Sequence, residues 1–313
     1  MNQRNSENKR KSVILSEGRR FHRRPKSKDP DAARPTIALA PFLPLLLLFV
    51  LLLTPAQAQP TLYAQSLQTA LTRQNPHLEF LLYDLRTQTP LVNTFPNPAQ
   101  PIPPGSLVKP FLALAYAPAH PTFPTITCHG HAGPAPDQCW SVAGHGPLTL
   151  PGAIAQSCNA YFLALARTLT SSAIPFLPAP PPNPTPETLI GLTPAWLISP
   201  TDLIHAYASL LASPPSPTRT AILLGMTASA KSGTANRIGP HPGGVLAKTG
   251  TAPCRSSEPD LPCKATGDGL ILAAVPATNP SLLLLVRRRA TTGAMTAPAA
   301  SRILTQLEAL HAY

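Results

Sequence analysis

The sequence predicts an α/β (α+β) fold, with one sheet built from both ends of the chain and a helical lobe between them. Three observations carry this. "LEFLLYDLRTQTPLVN", residues 78–93, reads as two strands around a polar turn. "GLILAAVP" and "SLLLLVRR" near the end are apolar runs separated by "ATNP", as in a hairpin, and the extended "VLAKTGTAP" precedes them. Between the two ends, apolar residues recur every three to four positions, which is the helical period. A cleft is expected where lobe and sheet meet.

In chain order, residues 61–74 read as a short helix, with Leu62, Tyr63, Leu67, Ala70 and Leu71 on one stripe. "FPNPAQPIPP" is a rigid crossing that delivers the chain to Ser106. A helix over 106–116 follows, its proline, Pro110, lying near the first turn where a missing amide costs least. After a loop carrying Cys128 and Cys139, "LTLPGAIAQSCNAYFLALARTL" is helical in two pieces. "PFLPAPPPNPTPET" has polyproline character and belongs on the surface. "LISPTDLIHAYASLLA" is a helix with proline at its start, and "TAPAASRILTQLEALHA" closes the chain as an amphipathic helix.

The 313 residues divide into three regions. Residues 1–34 hold eleven Lys/Arg and four Asp/Glu, a net +7 of the total +12, so 1–36 reads as a basic cytoplasmic tail. Residues 37–58 are uncharged, long enough to cross a bilayer, and end in "AQA", a small-x-small cleavage pattern. They predict a transmembrane anchor or a signal peptide. Residues 59–313 are then the exported domain, at a bacterial inner membrane with the domain on its periplasmic side, or in the periplasm if the leader is cleaved. Within that part only "RRR" at Arg287–Arg289 is a basic cluster, which argues against a nucleic-acid partner. Export also suits two local disulfides, Cys128–Cys139 and Cys254–Cys263, with Cys158 unpaired. Zinc is the rival reading, through His129 and His131 beside Cys128, but no second pair at finger spacing accompanies them.

Three stretches could do chemistry. Ser106 and Lys109 stand three apart and share a helix face, so a lysine left neutral by burial and a nearby positive charge would activate the serine. Ser157 and Asn159 stand two apart and face each other only if the helix breaks between them. Lys248, Thr249, Gly250 and Thr251 lie on an extended segment. There Lys248 could supply the charge that depresses Lys109, Gly250 leaves room for a substrate strand, and Thr249 and Thr251 could receive a carboxylate. The Thr251 and Ser106 amides could form an oxyanion hole.

In order, "SLVK", "SCN" and "KTG" match the three signatures of penicillin-binding proteins and serine β-lactamases. The flanks "PGSLVKPF", "GHGPLTLPGAIAQSCNAYF", "GMTASAKSGTA" and "AKTGTA" resemble the transpeptidase domain of class B, monofunctional penicillin-binding proteins, over roughly residues 76–308. This resemblance implies a β-lactamase/transpeptidase-like fold, an antiparallel sheet flanked by helices plus a helical lobe. It implies a D,D-transpeptidase that cross-links peptidoglycan stem peptides through an acyl-enzyme on Ser106, with Lys109, Ser157, Asn159 and Lys248 catalytic. Thr249, Gly250 and Thr251 would bind substrate. β-Lactams would act as inhibitors and cell-wall synthesis proteins as partners, with no metal and no cofactor. It also assigns "AKSGTA" with Lys231 to a flank of the site. The chain lacks the large pedestal usual in the family, so a D,D-carboxypeptidase, a β-lactamase and a non-catalytic β-lactam or peptide-binding module are the alternatives.

Overall fold

The computed structural model describes residues 62–131, 139–169, 173–253 and 267–312. Helix α1 spans Leu62–Gln74. Strands β1 (Glu79–Asp84) and β2 (Thr89–Asn93) form the expected hairpin. A 3-10 turn, Gly105–Val108, runs into α2 (Lys109–Tyr116). A short antiparallel hairpin, β3 (Ile126–Cys128) with β4 (Gly146–Leu148), precedes α3 (Leu150–Ala155) and α4 (Asn159–Arg167). Then come α5 (Pro186–Leu189), α6 (Pro200–Ala212) and α7 (Pro217–Lys231). Strands β5 (Leu246–Ala252), β6 (Asp268–Val275) and β7 (Leu282–Arg288) lead into α8 (Gly293–Ala309).

Five strands form one antiparallel sheet in the order β2-β1-β7-β6-β5, so both ends of the chain build it. The apolar runs have no polar alternation because both faces are covered. Phe80, Leu82, Ile271, Leu284 and Val286 face α1 and α8, whose Leu67, Leu71, Ile303 and Leu307 meet them. Their alternates Leu81, Leu270, Leu272, Leu283 and Leu285 face the helical lobe, with Phe111, Phe162 and Tyr207. Burying a side chain of this kind stabilises the fold by about 1.5–3 kcal/mol. Strand β5 is an edge, which leaves its outer side to the lobe and the cleft.

Helices α5, α6, α7 and α8 each start where a serine or threonine side chain accepts an amide from the first turn: Thr185, Ser199, Ser216 and Thr292. The "RRR" run does not form one patch. Arg287 is buried and held by Asp268 and Glu79, and Arg289 pairs with Glu79.

Two expectations are corrected. No helix among the described residues is long and apolar enough to cross a membrane, against the expected transmembrane helix and inner-membrane location. The longest, α8 at 17 residues, is short of a span and carries Arg302 and Glu308. The stretch 37–58 lies outside the described residues. The Cys128–Cys139 disulfide is also absent: Cys128, Cys139 and Cys158 are free thiols. Both Cys128 and Cys139 turn their sulfurs toward His145. Cys254 and Cys263 lie outside the described residues.

Candidate active site

Ser106 is half-buried on the 3-10 turn that opens α2. The chain reaches it pinned by a two-way backbone bridge between Ile102 and Ile198, at 3.0 and 2.9 Å. Buried Tyr207 of α6 donates to the Leu107 carbonyl at 2.7 Å, fixing the turn from behind. Gly105 sits at φ 55, and a Cβ there would meet the Thr251 backbone at 2.8 Å. A Cβ on Gly250 would lie 3.1 Å from the Pro104 carbonyl. The glycines therefore set how closely the Ser106 turn and β5 approach.

The expected helix break is real. Helix α3 ends at Ala155, Ser157 takes a left-handed φ of 50, Cys158 is extended, and α4 begins at Asn159. A non-glycine residue in that region is strained. The strain lets two residues at i and i+2 both face the cleft.

Lys109 and Lys248 are each 0% exposed, which decides their chemistry. Lys109 Nζ donates to the Ser157 carbonyl at 2.8 Å and to Asn159 Oδ1 at 2.6 Å. A neutral amine has two N–H bonds, so these acceptors use both and leave its lone pair uncommitted to them. Burial lowers its pKa to about 7, against an upward pull from Cys158 and Cys139. Lys248 Nζ donates to Ser157 Oγ and to the Thr249 carbonyl, each at 2.7 Å. Its pKa lies well below the ordinary lysine value, through burial first and the charge of Lys109 second. Desolvation is thus the leading cause of the depression at both lysines.

Ser106, Ser157, Asn159, Thr249 and Thr251 line one cleft of about 560 Å³. Lys248 stands behind it on Ser157, and Lys109 on Ser157 and Asn159. Gly250 lies on the lobe side of β5, against Leu107. Thr251 Oγ1 accepts the Gly293 amide at 3.1 Å, so the start of α8 closes one side of the cleft. A Cβ on Gly293 would meet the Gly250 carbonyl at 2.4 Å, which accounts for a glycine there.

The lining residues that were not expected include Thr234 and Trp140. Thr234 shares a 2.6 Å hydrogen bond with Thr249. It lies in "AKSGTA", whose Lys231 is exposed at the end of α7 as a flank residue would be. The threonine's role depends on a return of the chain that no local pattern encodes. Half-exposed Trp140 walls the cleft and donates to the Gln156 carbonyl at 3.0 Å. Its signal is the "CW" pair before the glycine-histidine-glycine run. Neither Glu187 nor Asp202 reaches the cleft: Glu187 opens α5, and Asp202 is engaged by Ser199 at the start of α6.

Neither a family model nor a curated protein matches this chain. Solved structures do. Penicillin-binding protein 2 of Pseudomonas aeruginosa, in complex with WCK 5153, matches with a TM-score of 0.59 and 19% identity over 76% of each chain. Penicillin-binding protein 2 of Helicobacter pylori, in complex with MreC, has a TM-score of 0.62 and 18% identity, over 80% of this chain and 63% of its own. The transpeptidase domain of Burkholderia pseudomallei penicillin-binding protein 3 has a TM-score of 0.57 and 18% identity, over 79% and 93%. From sheet order to helical lobe, the chain has the fold of penicillin-binding-protein transpeptidase domains.

Proposed function

We propose that this protein is a serine D,D-transpeptidase that cross-links peptidoglycan stem peptides, and that β-lactams acylate the same serine. The observation that carries it is the convergence of two buried lysines on Ser157, beside Ser106 in one cleft. Ser106 Oγ attacks the carbonyl between the two terminal D-alanines while neutral Lys109 takes its proton. Ser157 gives its hydroxyl proton to the departing D-alanine amine and regains one from Lys248, which donates to its Oγ. Thr249 and Thr251, with Thr234 behind Thr249, receive the terminal carboxylate. An amine from a second stem then attacks the ester carbonyl, losing its proton through Ser157 to Lys248, while Lys109 returns its proton to the leaving Ser106 oxygen. Hydrolysis of that ester needs a base for water, and no Asp or Glu among the described residues lines the cleft, which favours a long-lived acyl state over β-lactamase turnover.

The test is labelled penicillin followed by intact-mass measurement. A stable adduct on Ser106, lost in Ser106→Ala, is expected. Absence of an adduct on the folded protein overturns the reading in favour of a binding module, and rapid turnover makes the protein a β-lactamase.

A further inference from the structure

Beside the cleft, four side chains from three separate stretches meet without a role in acyl transfer. Cys128 ends β3, Cys139 follows the next loop, His145 precedes β4, and Cys158 caps α4 between Ser157 and Asn159. Their ligand atoms all lie within 4.8 Å of one another. His145 Nδ1 is 3.5 Å from both the Cys128 and Cys139 sulfurs, and the Cys139 and Cys158 sulfurs are 4.0 Å apart.

Three of the edges, at 3.5, 3.5 and 4.0 Å, are close to those of a coordination tetrahedron. Zinc bonds of about 2.3 Å to sulfur and about 2.0–2.1 Å to nitrogen place neighbouring ligands about 3.5–3.8 Å apart. The alternatives explain the arrangement less well. Sulfurs 4.0 Å apart are not bonded, a disulfide requiring about 2.05 Å. Two thiols directed at one imidazole nitrogen compete for a single lone pair. A cation at the centre satisfies all four donors at once. The loops are shaped for the close approach: Gly130 and Gly144 both sit at φ 78, and a Cβ on Gly144 would meet the Cys128 carbonyl at 2.2 Å. Cys128, Cys139 and Cys158 are 2%, 3% and 0% exposed and His145 is half-buried, so the three sulfurs are shut from solvent.

We propose that Cys128, Cys139, His145 and Cys158 form a closed centre for a thiophilic divalent cation, zinc. Three sulfurs and one imidazole select a soft metal over magnesium or calcium. Four protein ligands leave no open position, so the centre is structural, not a Lewis acid for substrate. Cys158 is the residue between Ser157 and Asn159, so the metal anchors the strained turn that presents both to the cleft. The histidine expected beside Cys128 is replaced as a ligand by His145, sixteen residues after His129. Of the nearer two, His131 directs its Nδ1 to the Cys139 carbonyl, 3.2 Å away.

The test uses the full chain, purified without chelator and dialysed into metal-free buffer. Elemental analysis should find one zinc per chain. Exchange with cadmium should produce a thiolate-to-metal charge-transfer band in the near ultraviolet. Cys128→Ser should weaken retention by at least on the order of 100-fold, and chelation of the wild type should lower its Tm. The wild-type measurements stand even if the variant fails to fold. They are also independent of penicillin labelling, so this inference and the proposed function fail separately. A metal-free wild type that takes up neither zinc nor cadmium would overturn the proposal, as would a disulfide mapped among the three cysteines.

Discussion

Lys248 Nζ lies 2.7 Å from Ser157 Oγ, across 91 residues of sequence. That bond joins the edge strand to the strained turn and makes the second and third motifs one unit. Lys248→Ala should therefore cut penicillin acylation by about 10²–10⁴-fold, the range for loss of a positioned proton-transfer group. Stopped-flow labelling with circular dichroism as a fold control checks it. A loss below tenfold would separate Lys248 from proton transfer.

The Lys109 environment sets a pH profile. With a pKa of about 7, Lys109 is protonated in acid and cannot accept the Ser106 proton. Acylation should fall about tenfold per pH unit below 7 and level off above it. A flat profile between pH 5 and 8 would rule out Lys109 as the base.

The same shift has a stability consequence. The unfolded chain holds the Lys109 proton up to its ordinary value of 10.5, whereas the folded protein releases it near 7. Between these values the unfolded state binds more protons, so stability rises with pH from 7 toward 10.5 and is lost as pH falls back. Lys248 is shifted in the same direction. Melting across that window should show a rising Tm, with a weaker rise in Lys109→Met and no reversal of sign.

Thr234 is a positioning residue acting through Thr249. Thr234→Val removes one side-chain hydrogen bond, worth about 1 kcal/mol, or roughly fivefold. The loss should appear in the concentration of β-lactam needed for half-maximal labelling rather than in the limiting rate. Thr234→Ser should restore it.

Gly105 tests the approach of the nucleophile turn to β5. Gly105→Ala places a methyl 2.8 Å from the Thr251 backbone at a φ of 55, with an overpacking cost of about 1–3 kcal/mol. A lower denaturation midpoint should accompany slower acylation. Unchanged values of both would show that the two segments separate freely.

Much of the fold was legible because its local signals agree with its global packing. The unbroken apolar runs in β6 and β7 mark a sheet covered on both faces, and the proline at the start of α6 marks a helix entry, whereas α5 begins inside the stretch read as surface polyproline. The β3–β4 hairpin was not legible: each strand has three residues and too little pattern to show a period of two. The 3-10 form of the Ser106 turn, Gly105–Val108, was also hidden, the sequence reading as one helix from Ser106.

The sequence by itself determined the strands of the main sheet, the longer helices and the reactive residue types, because hydrophobic period, proline position and motif spacing are properties of neighbours along the chain. Only the tertiary structure decided that burial lowers Lys109, that Lys248 engages Ser157, that Thr234 backs Thr249, and that three cysteines converge on His145. Desolvation and distance between residues tens of positions apart arise only when the lobe closes on the sheet, and no local pattern carries them.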